Sequence, residues 1–185
     1  MIEHLIFLTY LIIITFSIIG HGYIFSIIID KNLSKLNFGY IGLIGIFSLI
    51  TISVLTSFFL SHNYIFNTFL HIIGVASFVF FLFKYSKNNF SQLKKLIVLF
   101  LILIIGVFLY KNHDDFGYYH LTYALNLSEN KFMIGMGYFG HGFKTPSSLF
   151  YFHSILFLPY VKYYLFHSGP FFIILFFNFL FINKI

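Results

Sequence analysis

Apolar residues fill long blocks of this sequence, and the length of these blocks restricts the fold more than any other feature. Several blocks are as long as a helix that crosses a bilayer, for which about 20 apolar residues suffice. A water-soluble core would instead scatter its apolar residues at amphipathic spacing. Charged residues make up only 9% of the chain, whereas soluble domains usually carry about 25%. The sequence therefore predicts an integral membrane protein, with the lipid bilayer as its first partner.

The blocks predict an all-α fold, a polytopic transmembrane helical bundle with about six membrane segments. They run over residues 4–29, 38–60, 64–83, 96–110, 147–166 and 170–182. Pro159 predicts a kink in the fifth block, which membrane helices tolerate. The sixth block is short for a full span, so it is either re-entrant or the last part of a truncated chain, and we favour truncation.

These blocks give the expected organisation of the chain. We expect a four-helix transmembrane region over residues 1–110, a non-cytoplasmic loop over 111–147 and two further membrane segments, truncated at the end, over 148–185.

The lysines lie between the blocks and predict an orientation. The net charge of +6 comes from lysine, since the sequence has no arginine. Two loops that fall on one side of the membrane carry six of them, namely Lys31, Lys35, Lys84, Lys87, Lys94 and Lys95. By the positive-inside rule both loops are cytoplasmic. We therefore expect a multi-pass protein of the bacterial inner (cytoplasmic) membrane with its N-terminus outside. The lysines form no basic stripe, so nucleic acid is not an expected partner.

The outer loop holds a dense polar cluster in which His113, Asp114 and Asp115 are adjacent and His120 follows. Since the chain has no cysteine, thiolate chemistry is excluded. Neighbouring carboxylates and imidazoles suit a divalent metal ion, here Mg²⁺ or Mn²⁺, and they also suit proton abstraction near neutral pH. Asp114 and Asp115 are therefore candidate catalytic residues and candidate metal ligands. Alternatively, either aspartate is the N-cap of the helix that follows.

The residues after this cluster predict a short interfacial helix and then a loop. Apolar and aromatic side chains recur at spacings of three and four, at Phe116, Tyr119, Tyr123 and Leu127. This spacing indicates an amphipathic helix over 116–127 that lies along the membrane. The glycines of residues 135–142 predict a loop.

Basic side chains of the outer segment are candidates for substrate binding. His141 and Lys144 follow the glycine-rich stretch, where they could meet a phosphate group at the membrane surface. With the two histidines that flank the aspartates, the predicted substrate-binding set is His113, His120, His141 and Lys144.

Small residues inside the blocks predict where helices approach each other. Gly39, Gly42 and Gly45 lie three residues apart and place a small stripe along the second block, where another helix can pack closely. In the first block, the Gly20-His21-Gly22 step predicts either a kink or a face against a neighbouring helix.

Histidines inside or beside the blocks have two interpretations. His21, His71 and His153 lie within blocks, and an ionisable residue inside a membrane segment is a functional candidate by default. The commoner outcome is a neutral histidine that is hydrogen-bonded to a neighbouring helix. His62 and His167 lie in predicted turns, where we expect them to meet water.

The stretch from residue 96 to 166 resembles the N-terminal part of the polytopic glycosyltransferases of the GT-C superfamily. The resemblance is carried by His113-Asp114-Asp115-Phe-Gly-Tyr-Tyr-His120, just after a transmembrane helix, and by the return to the membrane from Gly142 to Pro159. It implies that an acidic loop residue, here Asp114 or Asp115, serves as catalytic base or metal ligand. It also implies a polyprenyl-phosphate-linked sugar as the donor. Several members have one helix before the acidic loop, whereas four blocks precede it here.

The expected function is therefore that of the N-terminal portion of a membrane glycosyltransferase in cell-envelope polysaccharide or glycolipid assembly. A non-enzymatic alternative is a multi-pass transporter or polysaccharide-export component, in which His21, His71 and His153 line a path. A third alternative is a structural subunit whose glycine stripe packs on a partner protein.

Overall fold

The computed structural model describes residues 2–29, 37–109, 114–138, 140–144 and 146–183. Within these ranges the regular elements are helical, which confirms the all-α class. The α-helices are α1 (Ile2–Ile29), α2 (Phe38–Ser57), α3 (Tyr64–Lys84), α4 (Ser86–Leu109), α5 (His120–Glu129), α6 (Ser148–Ile155) and α7 (Gly169–Asn183). Short 3₁₀ helices cover Asp114–Phe116, Met136–Tyr138, His141–Lys144 and Tyr163–Leu165.

Four helices are long and apolar enough to cross a membrane, as the first four blocks predicted. The candidate spans are Glu3–Ile28, Phe38–Ser57, Tyr64–Lys84 and Asn88–Gly106. Helix α7 is a shorter apolar helix. The four candidate spans are consistent with a membrane protein.

The fifth block forms a short helix and a turn, so the prediction of one kinked helix over 147–166 is wrong. Helix α6 has 8 residues, which is less than half the length of a membrane span. Pro159 has no backbone N–H to donate and disfavours helical backbone at the residue before it. The chain then turns tightly, with a bridge between Leu158 and Lys162 and positive φ angles at Tyr160 and Lys162.

The described residues divide into two compact units. Unit 1 is drawn from residues 1–11, 49–70 and 111–168, and unit 2 from residues 12–48, 71–110 and 169–185. Helices α5 and α6 belong to unit 1, and α4 and α7 belong to unit 2.

Glycines bring the helices of unit 2 into close contact. A Cβ atom at Gly20 would collide with the carbonyl of Gly74 in α3, and one at Gly45 would collide with the carbonyl of Ile18 in α1. The chain through Gly20 and Gly22 is helical, and the close contact at Gly20 makes this step a packing face, which was one of the two predicted outcomes.

The glycine stripe of α2 is a packing face, as the sequence predicted. Gly39 lies against the backbone of α7, and Gly42 lies against the side chain of Leu175 in the same helix. Together with Gly45, these residues are covered by α1 and α7 of this chain. The stripe is therefore not a surface for a partner protein, which removes the basis of the third functional alternative.

The core of unit 1 lies between α5 and α6. Its buried side chains are Tyr123, Leu127, Met136, Phe150 and Tyr151. Tyr119 packs on the edge of this cluster. The predicted apolar stripe is therefore confirmed at Tyr119, Tyr123 and Leu127. The helix itself begins at His120, four residues later than predicted, and its apolar face packs on protein.

Candidate functional site

The two aspartates between α4 and α5 lie in a turn before α5. Asp114 is exposed and Asp115 is half-buried. The backbone carbonyl of Asp115 accepts hydrogen bonds from the N–H groups of Tyr118 and Tyr119, at 3.1 and 3.3 Å. The Tyr119 hydroxyl donates to Oδ2 of Asp115 at 3.4 Å. The turn and this hydroxyl hold Asp115 in position.

Neither aspartate caps α5, so the N-cap interpretation is wrong. The N-cap residue is Tyr119, and no side chain caps the helix there. The 3₁₀ helix Asp114–Phe116 ends before α5 starts, so the aspartates belong to a separate turn.

The glycine-rich segment lies against the same tyrosine. A Cβ atom at Gly142 would collide with the ring of Tyr119, so glycine is needed at this approach. Lys144 is exposed, and its side-chain stem lies near Gly137. Tyr119 thereby joins the aspartate turn to the segment that carries Lys144.

Two of the predicted substrate-binding histidines have side chains outside the described part of the chain. His113 lies outside the described residues. The backbone of His141 belongs to the 3₁₀ helix His141–Lys144, while its side chain lies outside what the structure describes.

His167 lies beside the aspartate turn, although the sequence predicted that it would only meet water. Its ring stacks on Phe116, with 4.7 Å between the ring centroids. Burial lowers the pKa of His167. Through this contact His167 lies beside Phe116, the residue that follows Asp115.

Two further histidines, His120 and His153, belong to unit 1. His120 contacts the rings of Tyr119 and Phe150, at centroid distances of 4.5 and 4.8 Å. His153 on α6 is 7% exposed. Its Nε2 atom lies 3.2 Å from Ser168 Oγ.

The predicted metal site is not completed by the described residues. Within the ranges that the structure covers, no group of three His, Cys, Asp or Glu side chains could hold a metal ion. Mg²⁺ is often held by one or two carboxylates, with water and substrate phosphate as its other ligands. A metal role therefore remains a prediction that rests on Asp114 and Asp115.

A second polar network surrounds His62, which the sequence analysis wrongly expected to meet water. The His62 side chain is fully buried. Its Nδ1 atom lies 2.6 Å from Ser154 Oγ, and its Nε2 atom lies 3.0 Å from Thr56 Oγ1. Burial lowers the pKa of His62 to about 4. The imidazole thus joins the segment before α3 to α2 and α6.

Asn67 continues this network. Its Nδ2 atom donates to the carbonyls of His62, Ser154 and Phe157 at 2.7, 2.9 and 2.8 Å. A polar amide within the third apolar block was the sequence signal for such a contact, because polar side chains in membrane segments usually bond to a neighbouring helix. The sequence around His62 contains no comparable signal, because this residue lies in a polar stretch between two apolar blocks.

The histidines of unit 2 serve helix packing. His71 Nδ1 lies 2.9 Å from Ser17 Oγ on α1, which confirms the hydrogen-bonded interpretation for this residue. His21 is 4% exposed, and its ring lies close to Gly74.

Comparison with known proteins identifies no relative. No family model, curated protein or solved structure matches this chain.

Proposed function

We propose that this chain is the N-terminal portion of a membrane glycosyltransferase that uses a polyprenyl-phosphate-linked sugar in cell-envelope polysaccharide or glycolipid assembly. The observation that carries the proposal is the contact between Phe116 and His167. It puts the turn with Asp114 and Asp115 beside an imidazole from a segment about 50 residues further along the chain. The role of the acidic residue comes from the resemblance to the GT-C superfamily.

In this proposal Asp115 acts as the general base. Its carboxylate takes the proton of the acceptor hydroxyl, and the Tyr119 hydroxyl orients it through the bond to Oδ2. The acceptor oxygen bonds to the anomeric carbon while the bond from that carbon to the phosphate oxygen breaks, and polyprenyl phosphate leaves. Alternatively, Asp114 and Asp115 would hold a divalent ion, Mg²⁺ or Mn²⁺, which would neutralise phosphate charge when bound.

Basic residues would bind the phosphate of the donor. His120 contacts Tyr119 and hence lies near the Asp115 carboxylate. Lys144 is exposed on the segment that packs on Tyr119. His113 and His141 complete the set by their position in the sequence.

The proposed membrane arrangement treats α1 to α4 as full spans and α6 and α7 as two shorter membrane segments. Helix α5 would lie along the membrane surface. The exposed Lys84 and Lys94 support a cytoplasmic side at the α3–α4 connection, while Lys31 and Lys35 lie outside the described residues. This gives a bacterial inner-membrane protein with its N-terminus outside.

The test is sugar transfer from a polyprenyl-phosphate sugar by the full-length protein. The double variant Asp114→Asn with Asp115→Asn should lower turnover by about 100-fold or more, since general base catalysis contributes about 10²–10⁴-fold. Glu129→Gln removes the same kind of charge at the exposed end of α5 and should leave turnover unchanged. Unchanged turnover in the double variant would rule out the assignment.

The alternative of a transporter or export component has weaker support. It needs His21 and His71 to face a path, yet both are buried in helix contacts of unit 2. Solute uptake that is lost in His71→Ala and kept in Asp114→Asn would favour it.

A further inference from the structure

A lysine at the end of α3 is held against aromatic rings. Nζ of Lys84 lies 5.7 Å from the ring centroids of Phe80 and Phe81 and 5.5 Å from that of Tyr85. An ammonium group within about 6 Å of a ring centroid is attracted to the face of the ring. The rings therefore hold the charge of Lys84 close to the helix surface, although the side chain is exposed.

The ammonium group of Lys84 lies at the level where a membrane span meets the lipid headgroups. Helix α3 has 21 residues and is about 30 Å long, which matches the hydrocarbon thickness of a bilayer. Phe80 precedes Lys84 by four residues, so the contact with its ring turns the ammonium group back by about one helical turn. The charge therefore lies beside the last turn of the span, where lysines reach lipid headgroups.

A second lysine lies on the adjoining face of α4. The rings of Phe83 and Phe90 are in edge contact, with 6.0 Å between their centroids, and this contact joins the end of α3 to the start of α4. Both phenylalanines are exposed. Lys94 is exposed and follows Phe90 by four residues, so the two side chains share one face of α4. We call Lys84, Lys94, Phe83 and Phe90 the basic surface.

Buried hydrogen bonds fix the start of α4 against the other helices of unit 2. The Asn89 side chain accepts from the Tyr23 hydroxyl of α1 at 3.1 Å and donates to the carbonyl of Phe81 in α3 at 2.9 Å. Gln92 Oε1 accepts from the backbone N–H of Phe38, the first residue of α2, at 2.6 Å. The basic surface is therefore built on a fixed part of unit 2.

The sequence provides no carboxylate close to the basic surface. Neither α3 nor α4 contains Asp or Glu. Asp30 and Asp114 are consecutive acidic residues of the chain. The lysines between them are Lys31, Lys35, Lys84, Lys87, Lys94, Lys95 and Lys111. The charge of this surface is thus complementary to an anionic partner.

We propose that the basic surface binds the phosphate of an anionic lipid such as phosphatidylglycerol, with Lys84 and Lys94 as its cations. Lysines beside a membrane span attract anionic lipids. The exposed Phe83 and Phe90 favour a lipid over an acidic protein, because a lipid carries acyl chains next to its phosphate. The proposal is independent of sugar transfer and names a lipid class that this end of unit 2 selects from the bilayer.

The chain contains no tryptophan, which allows a fluorescence test with a single reporter. Phe83→Trp puts the only tryptophan beside Lys84. The full chain is reconstituted into mixed bilayers of phosphatidylglycerol and phosphatidylcholine, in which one of the two lipids carries brominated acyl chains that quench tryptophan on contact. The quenching curves give the affinity of phosphatidylglycerol relative to phosphatidylcholine. Ile65→Trp, at the opposite end of α3, is the control reporter because this side chain is also exposed.

We expect phosphatidylglycerol to be preferred by about 10- to 25-fold at Phe83→Trp, since each lysine near the membrane surface contributes about fivefold. No preference is expected at Ile65→Trp. In the Phe83→Trp protein, Lys84→Gln and Lys94→Gln should each lower the preference about fivefold. Lys84→Arg keeps the charge and the attraction to the rings, so it should keep the preference. Lys131→Gln removes an exposed lysine after α5 and should leave the preference unchanged.

Equal affinity for the two lipids at Phe83→Trp would overturn the proposal and assign these lysines to an acidic protein partner. An unchanged preference in Lys84→Gln would also overturn it. The same preference at Ile65→Trp, or equal losses in Lys84→Gln and Lys131→Gln, would show that net charge acts without a site. None of these outcomes involves sugar transfer, so the proposed function stands or fails separately.

Discussion

His62 bonds to residues of three helices, namely Thr56 of α2, Leu127 of α5 and Ser154 of α6. It follows an apolar block in a short Ser-His-Asn stretch, which is typical of a solvated turn. In the structure it is fully buried, and its backbone N–H donates to the carbonyl of Leu127 at 2.8 Å. Its ring partner Ser154 is 92 residues away in the chain. No local pattern could reveal a partner at that distance, and the same reason hid the contact between Phe116 and His167.

The burial of His62 predicts that stability decreases in acid. The pKa of His62 is about 4 in the folded chain, whereas that of an exposed histidine is 6.5. Between these values the unfolded chain binds more protons, so its free energy falls relative to the folded chain as pH falls. The difference amounts to about 3 kcal/mol at most, and it is lost from pH 6.5 down to pH 4.

The measurement is the thermal unfolding midpoint between pH 7.5 and pH 4 in detergent. His167 acts in the same direction, since burial also lowers its pKa. The comparison of wild type with His62→Gln therefore isolates His62, and the variant should show the smaller pH dependence. Parallel curves for the two proteins would mean that His62 does not titrate in this way.

At the scale of elements, block length predicted α1 to α4, because a bilayer requires long apolar helices and leaves few alternatives. The structure of the later segments depends on contacts between residues that are far apart in the sequence. In the predicted first turn of the amphipathic helix, residues 116–119, Phe116 ends a 3₁₀ helix and its ring stacks on His167. The fifth block met the length criterion, yet Pro159 and the turn at residues 158–162 interrupt it.

The same glycine-to-alanine substitution should change the free energy of unfolding in opposite directions at a crowded and at an open helix position. Gly20→Ala puts a methyl group into the carbonyl of Gly74, and we expect it to lower the free energy of unfolding by about 2–3 kcal/mol. Gly106→Ala in α4 meets no atom within 4 Å and should raise it by up to about 1 kcal/mol, because alanine loses less backbone entropy in a helix.

Both glycine variants are compared with the wild type by thermal unfolding in the same detergent. Equal effects of the two substitutions would show that helix propensity, and not the approach of α1 to α3, determines the result. A stable Gly20→Ala protein would contradict the close contact itself.

At the scale of the whole molecule, the sequence predicts the orientation in the membrane and the structure supplies exposed positions for its test. The chain contains no cysteine, so single cysteines can be introduced without removing others. Tyr138 is 97% exposed in the predicted outer loop, and Ser86 is exposed beside the lysines at the start of α4.

A membrane-impermeant maleimide should label Tyr138→Cys in intact spheroplasts and label Ser86→Cys only after lysis, because positively charged loops stay in the cytoplasm. The two variants serve as controls for each other. The opposite labelling order would reverse the orientation, and labelling of both in intact spheroplasts would contradict a membrane barrier between them.

The network around His62 also has a consequence for how the protein is made. Its bonds join residues synthesised early to residues synthesised about 90 positions later, as in Asn67 with Phe157. At typical ribosome speeds of about 5–20 residues per second, the delay is roughly 5–20 seconds. During that time the early helices carry polar groups whose partners do not yet exist. A slow ribosome or a prematurely ended message would therefore leave a chain that membrane quality-control proteases can recognise.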